Sequence, residues 1–147
     1  MDTQTPATIL VATDFSDGSG EALQFAIALA KQWGARLDLL HVIEVGVEDP
    51  FGGHIYGSDH HSAVDRMLTR LVSRVEASGV ACTPKIVEGN AATEITDRAR
   101  TLGADMIVVG THGRTGLAHI VLGSIAERVV RHATCPVLTV PFSKKAA

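Results

Sequence analysis

Among 147 residues with seven histidines, two cysteines and 16 acidic residues, one stretch groups residue types by a pattern that suggests chemistry. Gly110-Thr111-His112-Gly113-Arg114-Thr115-Gly116 leads on to Gly123-Ser124. It follows the apolar run Met106-Ile107-Val108-Val109 and opens a segment with helical spacing. A glycine-rich loop between a buried strand and a helix start is suited to an anion. Backbone N–H groups can approach it closely, and the helix N-terminus adds unpaired donors and partial positive charge. His112 and His119 could add contacts to phosphate when protonated. Two familiar versions of such a loop are excluded. Leu122-Gly123-Ser124 lacks the lysine of a P-loop, and Gly110-x-x-Gly113-x-x-Gly116 lacks the glycine spacing of the dinucleotide fingerprint.

The other groups are less organised for chemistry. His54, Asp59, His60 and His61 crowd one long irregular stretch, but their spacing gives no preformed face for zinc. His41 sits at a strand end and reads as a structural residue. Cys82 and Cys135 open separate strand-like runs and form no metal or redox pair. A net charge of -3 and a pI near 6.1 give no electrostatic motive for nucleic acid. The hydrophobic share of 46% and mean hydropathy of +0.20 fit a packed core. The longest apolar run falls far short of the roughly 20 residues of a membrane span. With no signal-peptide pattern in Met1-Asp2-Thr3-Gln4-Thr5-Pro6, a cytoplasmic protein without a membrane partner is expected.

The elements that must position the loop alternate regularly. Thr8–Ala12 is a continuous apolar run, as in a strand covered on both faces. It ends at Thr13-Asp14-Phe15-Ser16-Asp17-Gly18-Ser19, rich in turn and cap residues. Ala22, Phe25, Ala26, Leu29 and Trp33 then fall at helical spacing, and Gly34 closes the helix. Leu37 to Val42 is the second strand, with Asp38 near its entry edge. Residues 44 to 61 lack periodicity and read as a long functional or mobile loop. Val64, Met67, Leu68, Leu71 and Val75 mark a helix stripe of core or interface residues. Cys82 to Glu88 is a strand whose Pro84 puts it at a sheet edge. Asn90 caps a helix that ends at Gly103, Met106 to Val109 is the fourth strand, and Ile125, Ala126, Val129 and Val130 mark the last helix. Val137-Leu138-Thr139-Val140, between prolines, is a second edge strand.

Strict β-α alternation predicts a single α/β domain over residues 1–147, with its core at about 7–141. The expected architecture is a doubly wound five-stranded parallel sheet of order 3-2-1-4-5, with helices on both faces. The winding then reverses between strands 1 and 4, so the loops at Asp14 and Gly110 flank one crevice.

Three parts of the chain resemble the universal stress protein family. Gly110-x-x-Gly113, nine residues, then Gly123-Ser124 resembles that family's ATP-binding signature. Ile9-Leu10-Val11-Ala12-Thr13-Asp14-Phe15-Ser16 resembles its first strand and turn, and Ala133-Thr134-Cys135-Pro136-Val137-Leu138 its closing strand. The resemblance implies a nucleotide-binding stress-response protein that holds ATP, with or without magnesium, and pairs as a homodimer through Val137, Leu138, Thr139 and Val140. It places Asp14 at the ribose and base, with Ala12 and Thr13 lining that corner. Val42 would meet the adenine edge and Gly89 would border the ribose. Gly110, Gly113, Arg114, Gly123, Ser124 and Ile125 would surround the phosphates, with Arg114 offering a fork of donors.

Simpler roles compete at each position. Ser124-x-x-Glu127 is a capping box, worth ~1 kcal/mol without any ligand. Asp14 could only support the turn at Ser16, and the glycines could only shape a turn. No carboxylate lies between Gly110 and Ser124, which weighs against efficient phosphoryl transfer. Three functions follow as expectations: an ATP-binding regulator, a weak ATPase or phosphotransferase, and a dimeric interaction scaffold whose site is vestigial or holds another small ligand.

Overall fold

The computed structural model describes residues 5–45, 58–112 and 122–142, with the side chains of residues 58 and 59 left aside. Nine elements follow one another: β1 (Thr8–Ala12), α1 (Asp17–Trp33), β2 (Arg36–Glu44), α2 (Ser58–Ala77), β3 (Cys82–Gly89), α3 (Ala91–Leu102), β4 (Met106–Gly110), α4 (Ser124–His132) and β5 (Val137–Val140). The five strands form one sheet in the order β3-β2-β1-β4-β5. Every pairing is parallel, with Ile9 opposite both Leu37 and Met106.

Side-chain alternation along the central strands feeds two cores. Ile9, Val11, Leu37, Leu39 and Val108 point to the face covered by α1 and α2, where Ala22, Ala26, Leu68 and Val75 meet them. Leu10, Leu40, Ile107 and Val109 point to the opposite face, against Ala92, Ile95 and Ala99 of α3 and Ala126 and Val129 of α4. Strands buried on both faces must read as continuous apolar runs, as β1 and β4 do. The helices therefore lie on both faces, and the winding reverses between β1 and β4. Among the described residues no helix is long and apolar enough to cross a membrane.

Helix ends follow local chemistry. Ser16 caps α1 by accepting a hydrogen bond from the Ser19 amide at 3.2 Å, and Asn90 caps α3 by accepting from Thr93 at 3.1 Å. Both helices close on left-handed glycines, Gly34 at φ 65° and Gly103 at φ 67°.

Two expectations need correction, and a third gains a partner. The loop expected over 44–61 is shorter, because β2 runs to Glu44 and α2 begins at Ser58. His60 and His61 are therefore helical, and His61 pairs with Glu88 of β3 at 2.9 Å. The polar first turn of α2 hid its helical character. Asp38 does lie near the start of β2, but it is 3% exposed, and Arg98 of α3 grips it with two hydrogen bonds of 3.2 and 2.8 Å. Finally, Met67 leaves the core stripe: it is 37% exposed while Leu68 is 2% exposed. A step of one helical residue turns it about 100° off the buried face.

Candidate functional site

The site grows from the two loops that diverge where the winding reverses. β1 delivers Thr13 and Asp14 to its C-terminal end. Thr13 is 5% exposed, and its amide donates to the Leu40 carbonyl at 2.8 Å. Its hydroxyl accepts from the Phe15 amide and meets Ser19 Oγ, both at 3.1 Å. Asp14 Oδ1 accepts from the Ser16 amide at 2.9 Å and also from the Ser16 hydroxyl. This is an Asx turn that orients the carboxylate while supporting the α1 cap.

His41, on β2, braces the same turn. It is 6% exposed, its Nδ1 donates to the Thr13 carbonyl at 2.8 Å, and its ring lies 4.6 Å from that of Phe15. Phe15 has φ 64°, and no other described non-glycine residue has positive φ. Such a conformation costs of order 1–3 kcal/mol and persists only when surroundings hold it. The stack on His41 and the bond to Thr13 are what hold it here.

Across the crevice, β4 ends at Gly110, and Thr111 continues it with its amide on the Val140 carbonyl at 3.0 Å. Thr111 Oγ1 lies 3.0 Å from His112 Nδ1. The Gly123 amide donates to the Thr111 carbonyl at 2.7 Å. A Cβ at Gly123 would lie only 2.7 Å from that carbonyl oxygen. The missing side chain thus serves a close backbone contact that docks the start of α4 beside β4.

The capping box expected at Ser124 does not form. Gly123 is the N-cap, no side chain among the described residues caps the helix, and Ser124 is its first residue. Glu127 turns away to pair with Arg131. The first turn of α4 therefore faces the crevice with no side-chain cap among the described residues.

A cavity of about 650 Å³ lies between these walls, within the usual range for small-molecule sites. Ala12, Thr13, Asp14, Val42, Gly110, Gly123, Ser124 and Ile125 all line it. Gly89, the last residue of β3, does not, although the next two residues, Asn90 and Ala91, do. Gly113, Arg114, Gly116 and His119 lie outside the described residues. The lining also includes residues that the sequence did not single out for a site: Ser19, Glu44, Asn90, Thr111 and Arg128, with His60, Val64 and Met67 from α2. Glu44 adds a second acid beside Asp14. Arg128 was legible in principle, since it follows Ser124 by four residues and shares its helix face.

The other reactive groups lie elsewhere. Cys82 and Cys135 are free thiols, one at each edge strand. Burial, helped by Glu76 and Asp38, pushes the Cys82 thiol up to about 11, and burial with Asp105 raises that of Cys135. Neither is a ready nucleophile. Among the described residues no group of three or more histidine, cysteine or acidic side chains could hold a metal.

These features define a doubly wound α/β protein with a ligand-sized crevice at its topological switch point. The model of the universal stress protein family matches residues 7–141. The chain belongs to that family. It is 38% identical over 144 residues to universal stress protein MJ0531 of Methanocaldococcus jannaschii, covering 93% of this chain and 83% of that one. The solved structure of MJ0577, also from Methanocaldococcus jannaschii, superposes with a TM-score of 0.81 at 31% identity, covering 96% of this chain and 99% of that one. Two further solved universal stress proteins hold nucleotides. One, in complex with cAMP, superposes with a TM-score of 0.74 at 25% identity and covers 95% of this chain and 99% of that one. The other, from Archaeoglobus fulgidus in complex with dAMP, has a TM-score of 0.70 at 25% identity and covers 90% of this chain and 96% of that one.

Proposed function

We propose that the crevice binds an adenine nucleotide, ATP with or without magnesium, and that the protein acts as a nucleotide-dependent regulator in a stress response. One observation carries this reading. The Asx-oriented carboxylate of Asp14 and the uncapped first turn of α4 face one cavity from opposite loops. A carboxylate suits ribose hydroxyls, and a helix start suits phosphate. Ala12, Thr13 and Val42 would line the ribose and base, and Gly89 would shape the turn before Asn90. Gly110, Gly123, Ser124 and Ile125 would border the phosphates, with Gly113 and Arg114 completing their loop. The relatives with cAMP and dAMP support an adenine nucleotide as the ligand class.

Binding is favoured over turnover because Asp14 already serves the Ser16 turn with one of its oxygens. Glu44 is the other acid among the described lining residues. A weak ATPase would need one of these groups, or His112, to orient water. Phosphate release no greater with the native protein than in a protein-free control excludes that alternative.

The fold also offers a route to a homodimer. β5 is an edge strand with β4 on one side, and Phe142 just beyond it is 40% exposed. An unpaired edge invites pairing with a second copy.

The decisive test is nucleotide analysis of purified, denatured protein, followed by calorimetry. Adenine nucleotide should co-purify or bind in the micromolar range. Asp14→Ala and Ser124→Ala should each weaken binding about 10-fold, as expected for hydrogen bonds involving charge. Native protein that binds no adenine nucleotide refutes the proposal.

A further inference from the structure

The exposed faces of α4 are not equivalent. Ala126 and Val129 are 3% and 0% exposed and fix the face that meets the sheet. At about 100° per residue, Ile125 and Arg128 fall on one flank of the exposed surface with Ser124 near its crest, and all three line the crevice. Glu127 falls on the opposite flank and pairs with Arg131. The acid next to Arg128 in sequence is therefore engaged elsewhere.

Arg128 follows Ser124 by four residues, so the two stand one above the other on the helix. Each Cα–Cβ bond tilts toward the helix N-terminus. That tilt carries the guanidinium back over the first turn, toward the uncapped donors. Among the described lining residues Arg128 is the one arginine or lysine. Asp14 and Glu44 line the crevice from the ends of β1 and β2, where they would repel a phosphate chain. Charge thus divides the cavity into an acidic β1–β2 side and a cationic α4 side.

The division has a consequence for a ligand with more than one phosphate. A single phosphate is served by the N–H groups and the Ser124 hydroxyl at the helix start. Further phosphates add negative charge beyond the reach of those donors, and a forked guanidinium is the group that matches their oxygens. Arg128 is exposed and lines the crevice, so its long side chain can reach a phosphate chain that extends past the first turn.

We propose that Arg128 is a specificity residue of the crevice that reads phosphate-chain length, favouring adenosine di- and triphosphate over monophosphate. This rests on the adenine-nucleotide reading above. The test is calorimetric titration of the full chain and its Arg128→Ala and Arg128→Lys variants with AMP, ADP and ATP at two salt concentrations. Thermal melts without ligand verify the fold. Arg128→Ala should weaken ATP about 10-fold or more, ADP less, and AMP about twofold at most. Arg128→Lys should recover part of the ATP loss, because charge returns without the fork. ATP binding by the native protein should also fall more steeply with salt than that of Arg128→Ala. Equal losses for AMP and ATP, or no loss for either, overturn the assignment while leaving the nucleotide site intact. Native protein that binds none of the three nucleotides overturns the underlying reading instead.

Discussion

Gly123→Ala sets two opposing effects against each other at the centre of the site. Gly123 has φ -58° and ψ 154°, which alanine adopts without strain. On that count alone alanine would stabilise the protein by about 0.4–1 kcal/mol, by restricting the unfolded chain. The new methyl, however, would stand 2.7 Å from the Thr111 carbonyl oxygen, about 0.7 Å inside ordinary contact. That oxygen cannot retreat cheaply. It already accepts the Gly123 amide at 2.7 Å, and the Thr111 amide is tied to Val140 at 3.0 Å. Relief requires the α4 start to move off β4. That loses a hydrogen bond worth about 1 kcal/mol and adds an overpacking cost of about 1–3 kcal/mol. The clash wins, with a net loss of about 2 kcal/mol. For a chain of this length that lowers the melting midpoint by roughly 4–8 °C. Urea unfolding and thermal melts without nucleotide measure it directly. Ser124→Ala, which removes no cap bond, should leave the midpoint within about 1 °C on the same scale. An unchanged or raised midpoint for Gly123→Ala would refute the close-contact argument. The same comparison separates Gly123, whose loss disturbs fold and ligand together, from Ser124, whose loss should disturb ligand alone.

Arg98→Met should destabilise the protein by about 3 kcal/mol in urea unfolding, because it strands the buried Asp38 carboxylate; a loss below about 1 kcal/mol would show that the pair contributes little. His41→Phe keeps a ring against Phe15 but orphans the Thr13 carbonyl, so a loss of about 1–3 kcal/mol is expected, together with weaker nucleotide binding through the loosened Asp14 turn. The Cys82 thiol, raised to about 11 from 9.0, should resist alkylation in native protein at pH 8. Its unfolded form ionises first, so the unfolded state binds fewer protons between those values and the thiol's contribution to stability falls as pH rises from 9 to about 11; a Cys82→Ala variant should lose that part of the slope. In β5, Pro136 and Val140 accept hydrogen bonds from the β4 side, so the intervening Thr139 directs its amide to the free edge. Thr139→Pro should therefore weaken the proposed β5-mediated homodimer in sedimentation analysis while sparing the sheet.

The fold was legible because its strands are covered on both faces. β1 and β4 had to be continuous apolar runs, and Pro84 and the prolines around β5 marked the edges. With both edges assigned, the simplest right-handed winding gives the order 3-2-1-4-5, which is the observed one. The start of α2 was not legible, since Ser58-Asp59-His60-His61 shows no apolar period. Met67 was misjudged for a related reason: a stripe of apolar residues one wider than the buried face includes a residue that faces a cavity. His41 was expected to be structural, and its bond to Thr13 agrees. Its brace on Phe15 was beyond sequence, because no local pattern announces a strained φ at a phenylalanine.

Ser124 shows how a motif can be correct in composition and wrong in state. Ser-x-x-Glu at a helix start suggests a capping box, and the box would satisfy the orphan amides by itself. In the structure Gly123 takes the cap position because its amide must reach the Thr111 carbonyl at 2.7 Å. That shifts Ser124 one place into the helix, where its hydroxyl cannot form the cap, and releases Glu127 to Arg131. Docking of α4 onto β4 therefore overrides the local preference. With glycine at the cap the helix loses only roughly a few tenths of a kcal/mol relative to serine, and a ligand's phosphate at the first turn would add a stabilisation of up to about 1 kcal/mol. Whatever binds only the folded state stabilises it by mass action. Because no side chain among the described residues caps it, the start of α4 would gain stability from a phosphate-bearing ligand. That dependence is how nucleotide occupancy would be converted into a change in the protein's own structure.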